Sequence, residues 1–212
     1  MDAVFIRYRW LTGALVAVVV LAAAFGIWSR WITAEPLNAS LTLSPPGRVL
    51  TDVSIRLPCP HMLGTHLSSG TRTRDEMRRL AGQYGTTEGI DIPLQWSFLD
   101  ATGQVVASGK AENVGSHASD ATGFSRSASE WLPLSPRTYR LNAAITRELA
   151  GLEDISARMY LRCHPKVSTG WQTDLLFFGS FVWLLAWPLA AGLALLLAVL
   201  AARERGHTGA AS

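Results

Sequence analysis

The sequence predicts a mainly β protein, a periplasmic antiparallel β-sandwich with one short helix, flanked by two transmembrane α-helices. Three observations lead to this fold class. Uncharged apolar runs stand near both ends of the 212-residue chain, at residues 11–27 and 175–202. Between them, apolar and polar residues alternate with the period of two that half-buried strands require. A single short stretch, residues 73–82, changes to the helical period.

The two apolar runs have the length and composition of membrane spans. A helix needs roughly 17–25 apolar residues to cross a bilayer, and both runs reach that length without a charged side chain. Tryptophans near their ends favour the headgroup level, because their rings are amphipathic. We predict transmembrane helices over residues 11–31 and 174–202, an N-terminal segment over 1–10 and a tail over 203–212.

Basic residues in the short flanks predict the orientation of the chain. Arg7 and Arg9 precede the first span, and Arg203 and Arg205 follow the second. Because short basic flanks stay on the cytoplasmic side, both termini are expected in the cytoplasm and residues 33–172 outside it. For an alanine- and arginine-rich chain of bacterial appearance, this means a two-pass inner-membrane protein with a periplasmic domain. A cleaved signal peptide is the alternative for the first span, but the usual apolar run of such signals is only about 7–15 residues.

The first half of the domain is predicted to contain two strands and the helix. Alternation over residues 37–43 indicates an edge strand, and alternation over 48–59 indicates a half-buried strand. Thr73 followed by Glu76 is a capping-box pattern that begins the helix, and Gly82 can end it.

The second half returns to the period of two. The pattern predicts a hairpin over residues 94–108, around an Asp-Ala-Thr-Gly turn. It also predicts strands with one solvent-exposed face over residues 138–148 and 155–164. The serine- and glycine-rich stretch 108–130 is too polar for a core, and we predict a mobile loop there.

The order of these elements resembles a known bacterial family. The segments "DEMRRLAG", "GIDIPLQWSFLDATGQ", "FSRSASEWLPLSPRTYRL" and "ELAGLEDISARMYLR" are similar to the envelope family called domain of unknown function 5625, over approximately residues 37–166. The resemblance implies a compact periplasmic β-sandwich with no assigned catalytic residues. The chain departs from the family at Arg137, where a turn glycine is common, and in having two spans in place of a lipidated N-terminal cysteine.

Cys59 and Cys163 could form a disulfide, hold a metal or remain as two thiols. His61, Met62 and His164 stand beside them, and such a set suits zinc or copper. Counting by twos, however, places both cysteines on the apolar faces of their strands. In an oxidising compartment we predict a disulfide, which closes a loop of about one hundred residues and stabilises the domain by on the order of 4 kcal/mol. A metal site of Cys59, His61, Met62 and Cys163 stays open as the alternative.

Four arginines crowd the predicted helix: Arg72, Arg74, Arg78 and Arg79. They are candidates for binding anionic lipid headgroups, at about 1 kcal/mol for each basic residue, or an acidic patch on a partner protein. The alternative is a solvated helix face balanced by the acidic residues of the same helix.

Neither an enzyme nor a nucleic-acid partner is indicated. The net charge of +3 owes much to the membrane flanks, and the sequence has neither a Walker or Rossmann glycine loop nor a serine-nucleophile elbow. We therefore predict no catalytic residues and no cofactor.

The leading hypothesis is a non-enzymatic inner-membrane protein that presents its domain for protein binding, in its most specific form an immunity or inhibitor protein against an envelope-targeting toxin. One alternative is a subunit or assembly factor of a membrane complex. The other is a periplasmic metal-handling protein that uses Cys59, His61, Met62 and Cys163.

Overall fold

A computed structural model describes residues 8–82, 89–111, 116–119, 123–163 and 169–209. The chain divides into two units, one formed by its ends, Met1–Thr33 and Trp171–Ser212, and one formed by Ala34–Gly170. Several sequence predictions fall outside the described residues: Arg7 and His164, the first part of the segment 1–10, the last part of the tail 203–212, and parts of the predicted loop 108–130.

The helices and strands follow one another in a simple order. They are α1 (Arg9–Thr33), β1 (Asn38–Leu41), β2 (Arg48–Ser54), β3 (His61–Ser68), α2 (Arg74–Ala81), β4 (Leu94–Leu99), β5 (Val105–Ala111), β6 (Ser116–Ser119), β7 (Gly123–Leu132), β8 (Thr138–Ile145), β9 (Ser156–Cys163) and α3 (Trp171–Gly209).

The unit formed by the chain ends consists of α1 and α3. Both helices are long and apolar enough to cross a membrane, as the sequence predicts. They pack through small residues: the ring of Phe25 lies where a side chain on Gly179 would stand, and the Trp183 ring lies against Gly26. The indole N–H of Trp183 also donates to the carbonyl of Ala22 at 2.9 Å.

The unit Ala34–Gly170 contains two antiparallel sheets. The strand order is β1-β9-β3-β7-β6 in the five-stranded sheet and β2-β8-β4-β5 in the four-stranded sheet. Apolar residues from both sheets form one hydrophobic core, among them Val53, Phe98 and Leu141 from one sheet and Leu63, Phe124 and Met159 from the other. Trp96 joins the layers, because its indole N–H donates to the Ala128 carbonyl at 2.8 Å. This two-layer arrangement confirms the mainly β, sandwich-like part of the predicted fold.

The strand predicted over residues 48–59 is wrong in its second half. β2 ends at Ser54, and after Pro58 and Pro60 the chain continues in the other sheet as β3. Proline has no N–H for a strand ladder, so these two residues separate the strands. β3 lies between β9 and β7 and is buried along most of its length, which is why it lacks the alternation of a half-buried strand.

The mobile loop predicted over residues 108–130 is also wrong where the structure describes it. β5 extends to Ala111, and residues 123–132 form the ten-residue strand β7, most of which is buried. The buried serines find partners inside the sheet. Ser129 Oγ accepts from the Leu63 N–H at 2.9 Å, and Ser127 Oγ donates to Met62 Sδ at 3.0 Å. A polar strand can be buried when its hydroxyl groups are satisfied in this way.

Gly109 gives a test of the core. It pairs with Trp96 in the β4–β5 ladder, and a Cβ there would stand 2.6 Å from the Trp96 ring, which its hydrogen bond to Ala128 holds in place. We expect Gly109→Ala to lower the free energy of unfolding by about 1–3 kcal/mol through overpacking. Urea unfolding of the full chain in detergent, followed by tryptophan fluorescence, measures this change.

The matched control is Gly70→Ala, because no atom of the described residues lies within 4 Å of a Cβ at Gly70. This variant should change stability by less than about 0.5 kcal/mol. Equal unfolding midpoints for the two variants would contradict the packing described for Trp96.

Candidate functional site

The candidate site is built on α2, the helix predicted to carry the basic cluster. Thr73 caps the helix: its Oγ1 accepts from the Glu76 N–H at 3.4 Å, while the Glu76 carboxylate accepts from the Thr73 N–H at 2.7 Å. This capping box confirms the predicted start. Hydrogen bonds from Thr73 hold the pKa of the Glu76 carboxyl below its ordinary value. At the other end, the Gly82 N–H donates to the Arg78 carbonyl at 3.0 Å.

The inner side of α2 rests on β7. Met77 and Ala81 are buried in the core, and Arg126 of β7, only 4% exposed, reaches the end of the helix. Its Nη2 donates to the Ala81 carbonyl at 3.0 Å, and its Nη1 donates to the Ile90 carbonyl. A guanidinium at this position complements the negative end of the helix dipole. Burial lowers the pKa of Arg126 below its ordinary value.

Arg72 is used inside the domain. Its Nε donates to Asp154 Oδ2 at 2.8 Å and its Nη2 to Oδ1 at 2.6 Å, a bidentate pair of the stronger kind. Ser69 and Thr71 each donate a hydroxyl to the same carboxylate at 3.0 Å. The hydrogen bonds from Arg72 are the main reason that the pKa of Asp154 lies well below its ordinary value. Arg72 therefore anchors the segment before α2 to the segment before β9.

The other three arginines, Arg74, Arg78 and Arg79, form what we call the basic helix face. All three are exposed, and none of the ion pairs found among the described residues includes them. Arg74 and Arg78 are four residues apart and so point to the same side of the helix. Since both ends of α2 are fixed, the face presents its cations on a rigid support, suited to carboxylates or phosphates.

Sequence reasoning missed Asp154 and Arg126. Asp154 is 82 residues from Arg72, and no local pattern connects them. Arg126 did leave a signal, because counting by twos from Phe124 to Ala128 places it on the apolar face of its strand. An arginine at such a position must find buried acceptors.

Cys59 and Cys163 form the predicted disulfide, with their Cα atoms 5.9 Å apart. His61 pairs with Cys163 in the β3–β9 ladder, is 3% exposed, and places its Nε2 at 3.7 Å from Cys59 Sγ. Burial lowers the pKa of His61 below its ordinary value of 6.5. Met62 lies next to this cluster and accepts the hydrogen bond from Ser127.

The disulfide bears directly on the metal alternative at Cys59, His61, Met62 and Cys163. Zinc binds cysteine as the thiolate, and here each sulfur is bonded to the other. Within the described parts of the chain, no group of three or more histidine, cysteine, aspartate or glutamate side chains is arranged to hold a metal ion.

Comparisons with known proteins do not place the chain in a family. No family model matches it, and no curated protein matches it. A crystal structure of a protein from Sulfurospirillum deleyianum is similar over 61% of this chain and 98% of its own, with 11% identity and a TM-score of 0.48. A similarity this low supports no inference about function, and the resemblance to domain of unknown function 5625 stays a prediction.

The disulfide can be tested by thiol labelling. We expect the native protein to show no reactive thiol until it is both denatured and reduced. Replacing both residues, as Cys59→Ala with Cys163→Ala, should lower the free energy of unfolding by on the order of 4 kcal/mol, since the bond closes a separation of 104 residues. Full labelling of Cys59 and Cys163 without a reductant would rule the bond out.

His61 predicts how stability depends on pH. Because its pKa is lower in the folded state than its ordinary 6.5, the unfolded chain takes up a proton first as the pH falls below about 6.5. The contribution of His61 to stability is therefore present above that pH and is lost as the pH falls towards the folded-state pKa.

We expect His61→Leu to remove part of the stability loss between pH 7.5 and 5.5, measured by thermal unfolding. The substitution is suitable because Nδ1 of His61 has no hydrogen-bond partner among the residues that the structure describes. His66→Gln, at a half-buried position of the same strand, is the control and should keep the slope attributed to His61. An unchanged pH profile for His61→Leu would contradict the burial argument.

Proposed function

We propose that this chain is a non-enzymatic, two-pass inner-membrane protein that displays a β-sandwich in the periplasm for binding another protein. The observation that carries the proposal is that one folded unit, Ala34–Gly170, stands in the chain between two terminal helices suited to a bilayer. Basic residues flank the helices on the sides expected to be cytoplasmic. The disulfide adds support, because such bonds persist in oxidising compartments.

The basic helix face is the contact surface we assign to this function. Its helix is capped by Thr73 and held by Arg126, so little further ordering is required when a partner binds, which favours affinity. Arginine is enriched at the energetic centres of protein interfaces and binds carboxylates in a bidentate manner. The expected partner surface is acidic.

The most specific form of the proposal is an immunity or inhibitor protein. An envelope-targeting toxin must pass the periplasmic side of the inner membrane, where a membrane-held domain with a rigid cationic surface would meet it. The resemblance to an envelope family points the same way. If cells lacking the gene resist every competing strain as well as the parent does, the immunity form has to be abandoned.

A second candidate function, a subunit or assembly factor of a membrane complex, is favoured by an observation on the helices. Gly26 and Gly179 are used in the packing of α1 against α3, whereas no described atom lies within 4 Å of a Cβ at Gly13 or Gly192. Small residues left open in this way permit close approach of another helix. The metal-handling alternative has no comparable support, since the disulfide occupies both sulfurs.

Site-specific photo-crosslinking in living cells distinguishes these candidates. A photoreactive residue replacing Arg79 of the full chain should give a discrete protein adduct, while one at the exposed Thr138 on the other sheet should not. The Arg74→Gln/Arg78→Gln variant should reduce the Arg79 adduct several-fold, and Arg140→Gln should leave it unchanged.

The other outcomes are equally informative. If Arg79 gives adducts only with lipid, the basic helix face contacts the membrane surface and not a protein. Protein adducts from Gly13 or Gly192 but not from Arg79 would favour the complex subunit. Reporter fusions at the two termini that are active outside the cytoplasm would overturn the proposed topology.

A further inference from the structure

A depression lies on the outer face of the four-stranded sheet, which is not the sheet that supports the basic helix face. Its volume is about 460 Å³, within the range of roughly 300–1,000 Å³ that is usual for small-molecule sites. Side chains from all four strands line it, so its shape is fixed by strand pairing.

One row of paired residues crosses the sheet beneath the depression. Arg48 of β2 pairs with Ala144 of β8, Ala144 pairs with Gln95 of β4, and Gln95 pairs with Lys110 of β5. Neighbouring strands are about 4.8 Å apart, so the two basic residues stand about 14 Å apart across the sheet. Between them, the small side chain of Ala144 leaves the middle of the row open.

The neighbouring row on the same face supplies uncharged polar groups. Asn142, Ser97 and Ser108 are paired there across three strands. Arg48 Nε donates to Asn142 Oδ1 at 2.9 Å, which directs the guanidinium along the depression and leaves its other N–H groups for a ligand.

The charge of the depression is positive. Further along the same face, Asp52 and Arg140 lie 3.4 Å apart and compensate each other. Among the described residues, neither Arg48 nor Lys110 forms an ion pair with a carboxylate. Within the described part of the chain, the row therefore carries two cations and no carboxylate.

We propose that this depression binds an acidic sugar, a polyhydroxylated ligand of about two rings that carries a carboxylate. The guanidinium of Arg48 would bind the carboxylate at one end of the row, and the ammonium of Lys110 would donate hydrogen bonds to the second ring at the other end. The amide and hydroxyl side chains between and beside them offer both donors and acceptors, which hydroxyl groups of a sugar require. This site is separate from protein binding at α2 and does not depend on it.

Isothermal titration of the full chain in detergent tests the site. The probes are the acidic disaccharides digalacturonate and N-acetylglucosaminyl-N-acetylmuramic acid. The neutral control for the second probe is N,N′-diacetylchitobiose, which lacks its lactyl carboxylate. We expect binding of at least one acidic probe, weakening with added salt, and at least about tenfold weaker binding of the neutral control.

Two variants locate the ligand. Arg48→Gln/Lys110→Gln should weaken binding at least about tenfold by removing both charges. Ala144→Phe should do the same by filling the middle of the row while both cations remain. Arg140→Gln, on the same face but outside the depression, should leave the affinity unchanged.

Three outcomes would overturn the proposal. If neither acidic probe gives a heat of binding, acidic sugars are ruled out as ligands. If the neutral disaccharide binds with equal affinity, the carboxylate does not contribute to binding. Binding that survives both Ala144→Phe and the double variant places the sugar elsewhere. Because none of these substitutions touches α2, crosslinking from Arg79 reports separately on the protein-binding proposal.

Discussion

The pairing of the first strand of the domain with the last is the constraint on which the architecture depends. Because α1 and α3 pack on each other, the two ends of the domain that connects them have to be close together. β1 and β9 meet this requirement directly, since Asn38 lies opposite Tyr160 and Leu41 opposite Ala157 in one antiparallel ladder. The chain thus enters and leaves the domain at neighbouring strands. The sheet order places the next central strand, β3, on the other side of β9.

The disulfide joins β9 to β3, the next strand of the five-stranded sheet. Cys163 is the last residue of β9 and Cys59 lies just before β3, so the bond joins the two strands where the chain leaves the domain. The ladder from His61 opposite Cys163 to Ser68 opposite Ser156 continues from that point. A covalent closure there limits fraying at that end of the β3–β9 ladder. Placing His61 against the sulfur removes one polar side chain from water, and this explains its lowered pKa.

Local sequence patterns predicted the elements that depend on interactions between residues close together in the chain. The capping box of Thr73, the hairpin around Asp100 and the alternating strands β8 and β9 depend on residues only a few positions apart. β3 was missed because it is buried along most of its length and lacks alternation, and residues 123–129 of β7 were missed because their buried serines are satisfied by other strands. Ser129, for example, accepts from the backbone of Leu63, 66 residues earlier in the chain. Without that partner in view, a serine-rich stretch has the composition of a loop.

The same reasoning explains how far sites can be predicted. The sequence shows four arginines close together near α2. It could not show that Arg72 is held by Asp154, whereas Arg74, Arg78 and Arg79 are exposed. Only the charged side chains that form no ion pair inside the domain are available to a ligand, and these ion pairs depend on the fold. Strand register has the opposite effect, because it brings together residues that are far apart in the chain. It places Arg48 and Lys110 on one row of a sheet. A search for binding residues in a β-sandwich should therefore begin from rows of the sheet and only then return to the sequence.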